Sequence, residues 1–507
     1  MTSSGFAQYS QTVENSNQTA ATRKLTGRVR ALGALRFAGL AVCCTLLLPA
    51  QQPAADQTPL TPREQAMLDR IEKLEKEMAV LQSKLNSAPA PTPAVAQAPQ
   101  TSVLGAAATG AAAAANETSA SANTLSEAET KQGILGLPGT TMSFYLDGYY
   151  GWNFNDPVGR VNLLRANDVL SNSFSLNQFA LILERAPDVA AGRRYGGRVD
   201  LMFGQETETL QGGSQNEPRP QVYRNLFQAY GTYVFPVGSG LTVDFGKFYS
   251  ALGFENNYAY DEINYSRSFY FTYLPFYHMG FRTTYNFNDK LTLQYWLVNG
   301  ANQTEDFNGF KSNAVLFTVK PTKNIAWNIN YYFGNENRDL TPDLNPGLPT
   351  LPTQPGLSVT PVPGPKYTGM THIFDTYASW SPNAKWTAAG EFDYVVSRAF
   401  SGSEASHVLG GAGYLQYHFT PKFTLAGRAE FLQDQGGLFS GLTQNLKDTT
   451  ATVTYQFIDG FQTRLEFRRD FSDQPFFLTA TPGLLKKEQD TATLGLIWWF
   501  GGKRESY

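Results

Sequence analysis

The last third of the chain repeats one pattern: about ten residues in which apolar and polar side chains alternate, then a turn, then the pattern again. In Phe423 to Glu430, Phe423, Leu425, Gly427 and Ala429 alternate with Thr424, Ala426, Arg428 and Glu430. In Phe461 to Arg468, Phe461, Thr463, Leu465 and Phe467 alternate with Gln462, Arg464, Glu466 and Arg468. Successive side chains of an extended chain point to opposite faces, so each segment offers one face to hydrocarbon and the other to water. A soluble β-sandwich alternates as well, with its apolar face against a second sheet, and the arginines by themselves do not separate the two. The number of segments and the lengths of their connections do.

From Met142 onward sixteen segments qualify as strands. The first eight centre on Phe144–Phe154, Phe174–Arg185, Arg194–Gly204, Arg224–Phe235, Leu241–Ser250, Pro275–Phe287, Leu291–Asn299 and Ala314–Lys320. The second eight centre on Ile325–Phe333, Thr371–Trp380, Trp386–Val396, Val408–Phe419, Phe423–Leu432, Thr449–Phe457, Phe461–Phe471 and Thr491–Phe500. An even number returns both ends of the sheet to one side, as a single-chain bacterial barrel requires. Every second connection is tight: Pro187–Gly192, Pro236–Gly240, Asn288–Lys290, Pro321–Asn324, Ser381–Lys385, Thr420–Lys422 and Asp459–Gly460. The others are mostly long, at 155–173, 205–223, 251–274, 301–313, 334–370, 397–407, 433–448 and 472–490. A membrane barrel produces this asymmetry, and a sandwich or propeller has no reason to. The expectation is an all-β fold, a transmembrane antiparallel up-and-down β-barrel of about 16 strands over residues 141–501, preceded by a short coiled-coil helix and a disordered linker.

Composition agrees. Aromatic residues make up 13% of the chain and charged residues 16%, as expected where rings form girdles at two membrane interfaces. Mean hydropathy is −0.30, too polar for a helical membrane bundle, and no run of eighteen apolar residues follows the leader. A net charge of −3 leaves no basic footprint for nucleic acid. Residues 1–50 read as a signal peptide: Arg23, Lys24, Arg28, Arg30 and Arg36 precede an apolar run from Phe37 to Leu48, with Ala50 and Ala55 as alternative ends. Both cysteines, Cys43 and Cys44, fall inside it, so disulfides play no part in the expected fold. In residues 64–86, Met67, Ile71, Leu74, Met78, Leu81 and Leu85 keep a 4-3-4-3-4 spacing, the seam of a short coiled coil. Residues 87–140 are rich in Ala, Pro, Gln, Ser and Thr and read as a periplasmic tether with no core to bury.

An exported leader, a coiled-coil segment, an Ala/Pro tether and a sixteen-strand aromatic barrel resemble a Gram-negative outer-membrane porin. The opening Phe144-Tyr-Leu-Asp-Gly-Tyr-Tyr-Gly-Trp-Asn-Phe154, the later Phe245-Gly-Lys-Phe248 and the closing Leu494-Gly-Leu-Ile-Trp-Trp-Phe500 are most similar to the OmpL-like β-barrel porins. The resemblance implies a homo-trimer in outer-membrane lipid, joined through the barrel and the N-terminal coiled coil, with the N-terminal segment in the periplasm. It implies passive diffusion of small hydrophilic solutes and ions, with no catalysis and no cofactor. Two other readings stay open: a channel specific for sugar, phosphate or carboxylate, with Tyr145, Tyr149 and Tyr230 compatible with an aromatic track, and a structural or adhesive barrel with an occluded lumen.

Alternation places Asp147, Arg194, Arg198, Asp200, Arg224, Asp244, Arg282, Glu391, Asp393, Arg428, Glu430, Arg464, Glu466 and Arg468 on inward faces. Seven are basic and seven acidic, which predicts weak ion selectivity unless neighbours such as Arg428 and Glu430 simply pair and stiffen the wall. If the likeness to general porins extends to the third outward loop, 251–274, its Glu255, Asp261, Glu262 and Arg267 face the wall arginines and form the constriction. Otherwise they are solvated surface charges. The proline-rich stretch 335–369 reads as extended chain that cannot pair as strand, a surface flap or a lumen plug. Catalytic signals are weak: His278, His372, His407 and His418 lack metal-ligand spacing, His278 and His418 read as lumen lining, and Ser403, Ser406 and His407 form a bare Ser/His neighbourhood.

Overall fold

In a computed structural model of the chain, the described residues are Lys76, 137–211, 217, 220–338, 340–342, 359–361 and 366–501. The chain divides into two compact units, Met1–Thr101 and Ser102–Tyr507. The signal-peptide reading, the coiled-coil stretch apart from Lys76, and the linker as far as residue 136 lie outside the described residues.

The second unit holds sixteen strands in one closed antiparallel barrel, each bonded to its neighbours in chain order. The first eight are β1 (Thr140–Asn153), β2 (Phe174–Arg185), β3 (Tyr195–Phe203), β4 (Leu226–Phe235), β5 (Leu241–Tyr249), β6 (Tyr277–Asn288), β7 (Leu291–Val298) and β8 (Ser312–Thr322). The second eight are β9 (Ile325–Gly334), β10 (Thr371–Asn383), β11 (Trp386–Ser397), β12 (Ser406–Thr420), β13 (Phe423–Gln435), β14 (Gln444–Ile458), β15 (Phe461–Ser472) and β16 (Glu488–Gly501). The ring closes where β1 pairs with β16, Tyr145 opposite Trp499. With no free edge, every strand satisfies its backbone inside the sheet, which a hydrocarbon surround demands.

The alternation of the sequence becomes the two faces of the wall. Along β15, Leu465 and Phe467 are exposed on the outside while Arg464, Glu466 and Arg468 are buried inside. Aromatic rings gather at the short-turn end, where Phe461 stacks on Phe457 at 4.9 Å and on Trp498 at 4.7 Å. Trp386, Tyr417, Phe419 and Phe423 continue the same rim. Such pairs add to their buried area through ring quadrupoles, and the position is that of an interfacial girdle.

Two expectations change. Arg194 and Arg224 do not sit on the wall: β3 and β4 start later than the alternation suggested, at Tyr195 and Leu226. Arg194 stays in the short connection and donates to the Val234 carbonyl at 3.2 Å. Arg224 lies in the second long loop, where its half-exposed side chain meets Glu208 at 3.7 Å. The proline-rich stretch also pairs after all, Leu340–Pro342 with Val359–Pro361. A two-stranded ribbon has two open edges, and a residue without an N–H is tolerated on an edge.

Candidate functional site

The third long loop, 250–276, turns into the barrel instead of away from it. A loop that leaves the sheet carries backbone groups with no ladder partners, and inside a barrel they must find others. The wall charges supply them. Glu466 accepts two successive N–H groups, Tyr265 at 2.6 Å and Ser266 at 2.9 Å. Glu430 accepts Phe269 at 2.9 Å, Asp375 accepts Gly253 at 2.9 Å and Glu391 accepts Phe254 at 3.0 Å. The arginines take the carbonyls: Arg428 donates to Ser266 at 2.7 Å, Arg464 to Asn264 at 2.8 Å and Tyr260 at 3.0 Å, and Arg468 to Arg267. Alternation put all of these wall charges except Asp375 on the inner face, and their partners come from the loop as well as from one another.

Within the loop, Arg267 is buried and donates to three carbonyls, those of Asn256, Tyr265 and Asn257, at 2.7–3.0 Å. Glu255 joins loop to wall, accepting from Arg428 at 2.9 Å and from the Ser268 N–H at 2.6 Å. Ser268 also caps the helical turn Phe269–Tyr273. Glu262 accepts the Asn256 N–H at 2.7 Å, and burial pushes its carboxyl up to about 8 while Arg267 pulls it down. Of Asp261 the backbone is described, in a 3-10 turn from Ala259.

Rings fill the space around these bonds. Tyr258 of the loop packs against Tyr145 at 5.1 Å and Trp499 at 6.0 Å, and its hydroxyl donates to Asp200. Tyr265 donates to Asp147 at 2.9 Å and lies so close to β16 that a Cβ on Gly495 would stand 2.5 Å from its ring. Tyr145 and Tyr149 are buried in this cluster, and Tyr230 packs against a second one around Phe248, Trp296 and Tyr332. His278 is buried between Gly300 and Ser250, and half-buried His418 contacts Thr424.

Arg198 holds Asp200 through two nitrogens at 2.7 and 2.9 Å, and Arg282 meets Asp244 at 2.8 Å. Alternation did not single out Lys247, Asp375, Asp448 or Asp470, all of which are buried. Asp470 binds Arg165 of the first loop at 2.7 Å, and Arg428 reaches Asp448 at 3.2 Å. The same period-two count that placed Arg428 would have placed Asp375, Asp448 and Asp470, whereas Lys247, three residues after Asp244, falls on the other parity of β5. With loop groups included, sixteen carboxylates and seven Lys or Arg are buried among the described residues, so the even balance expected of the wall does not hold inside. Among the described residues no hydrogen bond joins His407 to Ser403 or Ser406; Ser403 bonds Phe400, and His407 packs on Tyr394.

Residues 139–500 match the profile of the family described as Putative beta-barrel porin-2, OmpL-like. That is more than half of the chain, and the protein belongs to this family of Gram-negative outer-membrane β-barrel porins. No curated protein matches the sequence. Among solved structures it is similar to the outer-membrane protein OmpT of Vibrio cholerae, at 9% identity and TM-score 0.45 over 72% of this chain and 99% of that one. It is similar to the outer membrane channel DcaP of Acinetobacter baumannii, at 9% identity and TM-score 0.45 over 71% and 97%. The anion-selective porin from Comamonas acidovorans matches at 6% identity and TM-score 0.45 over 71% and 99%.

Proposed function

We propose that the barrel is a porin of restricted bore, passing small hydrophilic solutes and ions by passive diffusion along a route that skirts the third loop. The observation that carries this reading is the loop's attachment. Charged side chains of β10, β11, β13 and β15 hold its backbone across the lumen, which narrows what sixteen strands would otherwise leave as an aqueous channel. The acidic excess inside favours cations over anions. The short turns and the N-terminal segment face the periplasm, the long loops face outward, and the barrel sits in outer-membrane lipid as a trimer. A channel specific for phosphate or carboxylate solutes needs uncommitted cations, whereas Arg428, Arg464 and Arg468 are already bonded to loop carbonyls.

A second reading, a structural or adhesive barrel with a closed lumen, is favoured by unbroken burial: Gln462, Arg464, Glu466, Arg468, Asp470 and Ser472 are all buried along β15. Planar-bilayer recordings of refolded protein separate the two. Conductance in steps of three, with a reversal potential favouring cations, supports the porin. A folded, heat-modifiable barrel without conductance supports the closed one.

A further inference from the structure

Asp375 on β10 and Asp393 on β11 stand directly opposite each other across the sheet. Glu391 lies two residues before Asp393 and therefore on the same inward face. Carboxylate oxygens of all three lie within 4.8 Å of one another, and all three side chains are buried. Like charges placed opposite one another on neighbouring strands repel, and a buried carboxylate needs a donor, a cation or a proton. Among the described residues no Lys or Arg forms an ion pair with any of the three, although the interior holds arginines that pair elsewhere.

Part of the cluster is accounted for. Asp375 accepts from Asn330 at 2.7 Å and from the Gly253 N–H, and Glu391 accepts from Phe254 and from the Tyr414 hydroxyl at 3.2 Å. The remainder is not: among the described residues neither oxygen of Asp393, which is 0% exposed, nor Oδ1 of Asp375 has a hydrogen-bond donor from outside the cluster, and Asp375 and Asp393 can meet only each other, through a shared proton. Asp393 is thus a fully buried carboxylate aimed into a group of carboxylates, with no Lys or Arg paired to it among the described residues, so that a cation or a proton must neutralise it.

We infer that Asp375, Glu391 and Asp393 form a calcium site in the barrel wall beneath the third loop. The donors are all carboxylate oxygens, which suit a hard cation. Calcium accepts irregular arrangements of six to eight oxygens, whereas magnesium demands a near-ideal octahedron that three side chains fixed on two strands have little freedom to supply. Asp375 and Glu391 also hold the Gly253 and Phe254 amides, so the ion would fix the loop's first turn to the wall. This inference goes beyond the permeation reading and is tested without any conductance measurement.

Terbium, a trivalent ion that takes calcium's oxygen ligands, is the probe, and Tyr414 beside Glu391 is the sensitiser. Full-length protein refolded in detergent, free of lipopolysaccharide, is excited at tyrosine wavelengths. Sensitised emission displaced by calcium is expected, with affinity at least tenfold weaker in Asp393→Asn. Heat-modifiability on gels confirms that the variant is folded. Calcium is also expected to raise the thermal midpoint of the wild-type protein relative to chelator, a readout that stands if the variant fails to fold. No displaceable emission from folded wild type, equal affinity in folded Asp393→Asn, or a calcium-independent midpoint would overturn the site and leave a proton shared among the three carboxyls.

Discussion

At the scale of a single residue, Glu466 shows what the inner charges do. Its two oxygens take two consecutive amides of the third loop and the Thr452 hydroxyl. Bonds to a charged acceptor are each worth about 1.5–3 kcal/mol, and among the described residues the two amides have no other partner. Glu466→Gln is therefore expected to lower the thermal midpoint and to raise conductance by loosening the loop. An unchanged midpoint and current would show that the loop is held elsewhere. Glu262 adds a pH dependence. Because its native carboxyl holds a proton up to about 8 and an unfolded glutamate only to ~4.3, the native state binds the extra proton between those values. Stability therefore falls as pH rises through that window, and Glu262→Gln should flatten the slope in melts recorded from pH 5 to 9. On the outside, Leu465→Arg faces lipid and should cost about 2–4 kcal/mol of barrel stability in folding titrations from urea.

At the scale of the element, the third loop is separable from the wall that holds it. Removing residues 253–273 and bridging the ends leaves the strand ladder intact and is expected to raise single-channel conductance several-fold. No gain would mean that the first and second loops close the lumen on their own. Replacing the loop's carboxylates together, Glu255→Gln with Asp261→Asn and Glu262→Gln, should lower cation preference, read as a shift in reversal potential recorded above pH 8, where Glu262 is ionised. The wall was legible in the sequence because its code is local: Phe461 to Ser472 declares both faces of β15 by alternation alone. That the loop turns inward was expected only through resemblance, since nothing local tells Glu255 that it will meet Arg428 from a distant strand. The three-carboxylate cluster lay between these cases. Once the turn at Ser381–Lys385 is placed, hairpin register sets Asp375 opposite Asp393, but only the folded loop shows which oxygens remain without donors. Alternation failed at Arg194 and Arg224 because a period-two count cannot tell where a strand begins.

At the scale of the whole molecule, the buried interior departs from the ordinary membrane barrel, whose inside is mostly water. Here two hydrophobic clusters and a set of ion pairs pack against an inserted loop, so the part of the interior around that loop is packed protein. The seam at β1 and β16 gives this architecture a history as well as a shape. The first and last strands of the sheet are partners, so until the fourteen residues of β16 arrive the growing sheet carries two unpaired edges, each a template for the wrong chain. Its most vulnerable interval therefore ends with its last strand, whatever the state of the loop inside, and whatever escorts the chain across the periplasm must shield both edges until then.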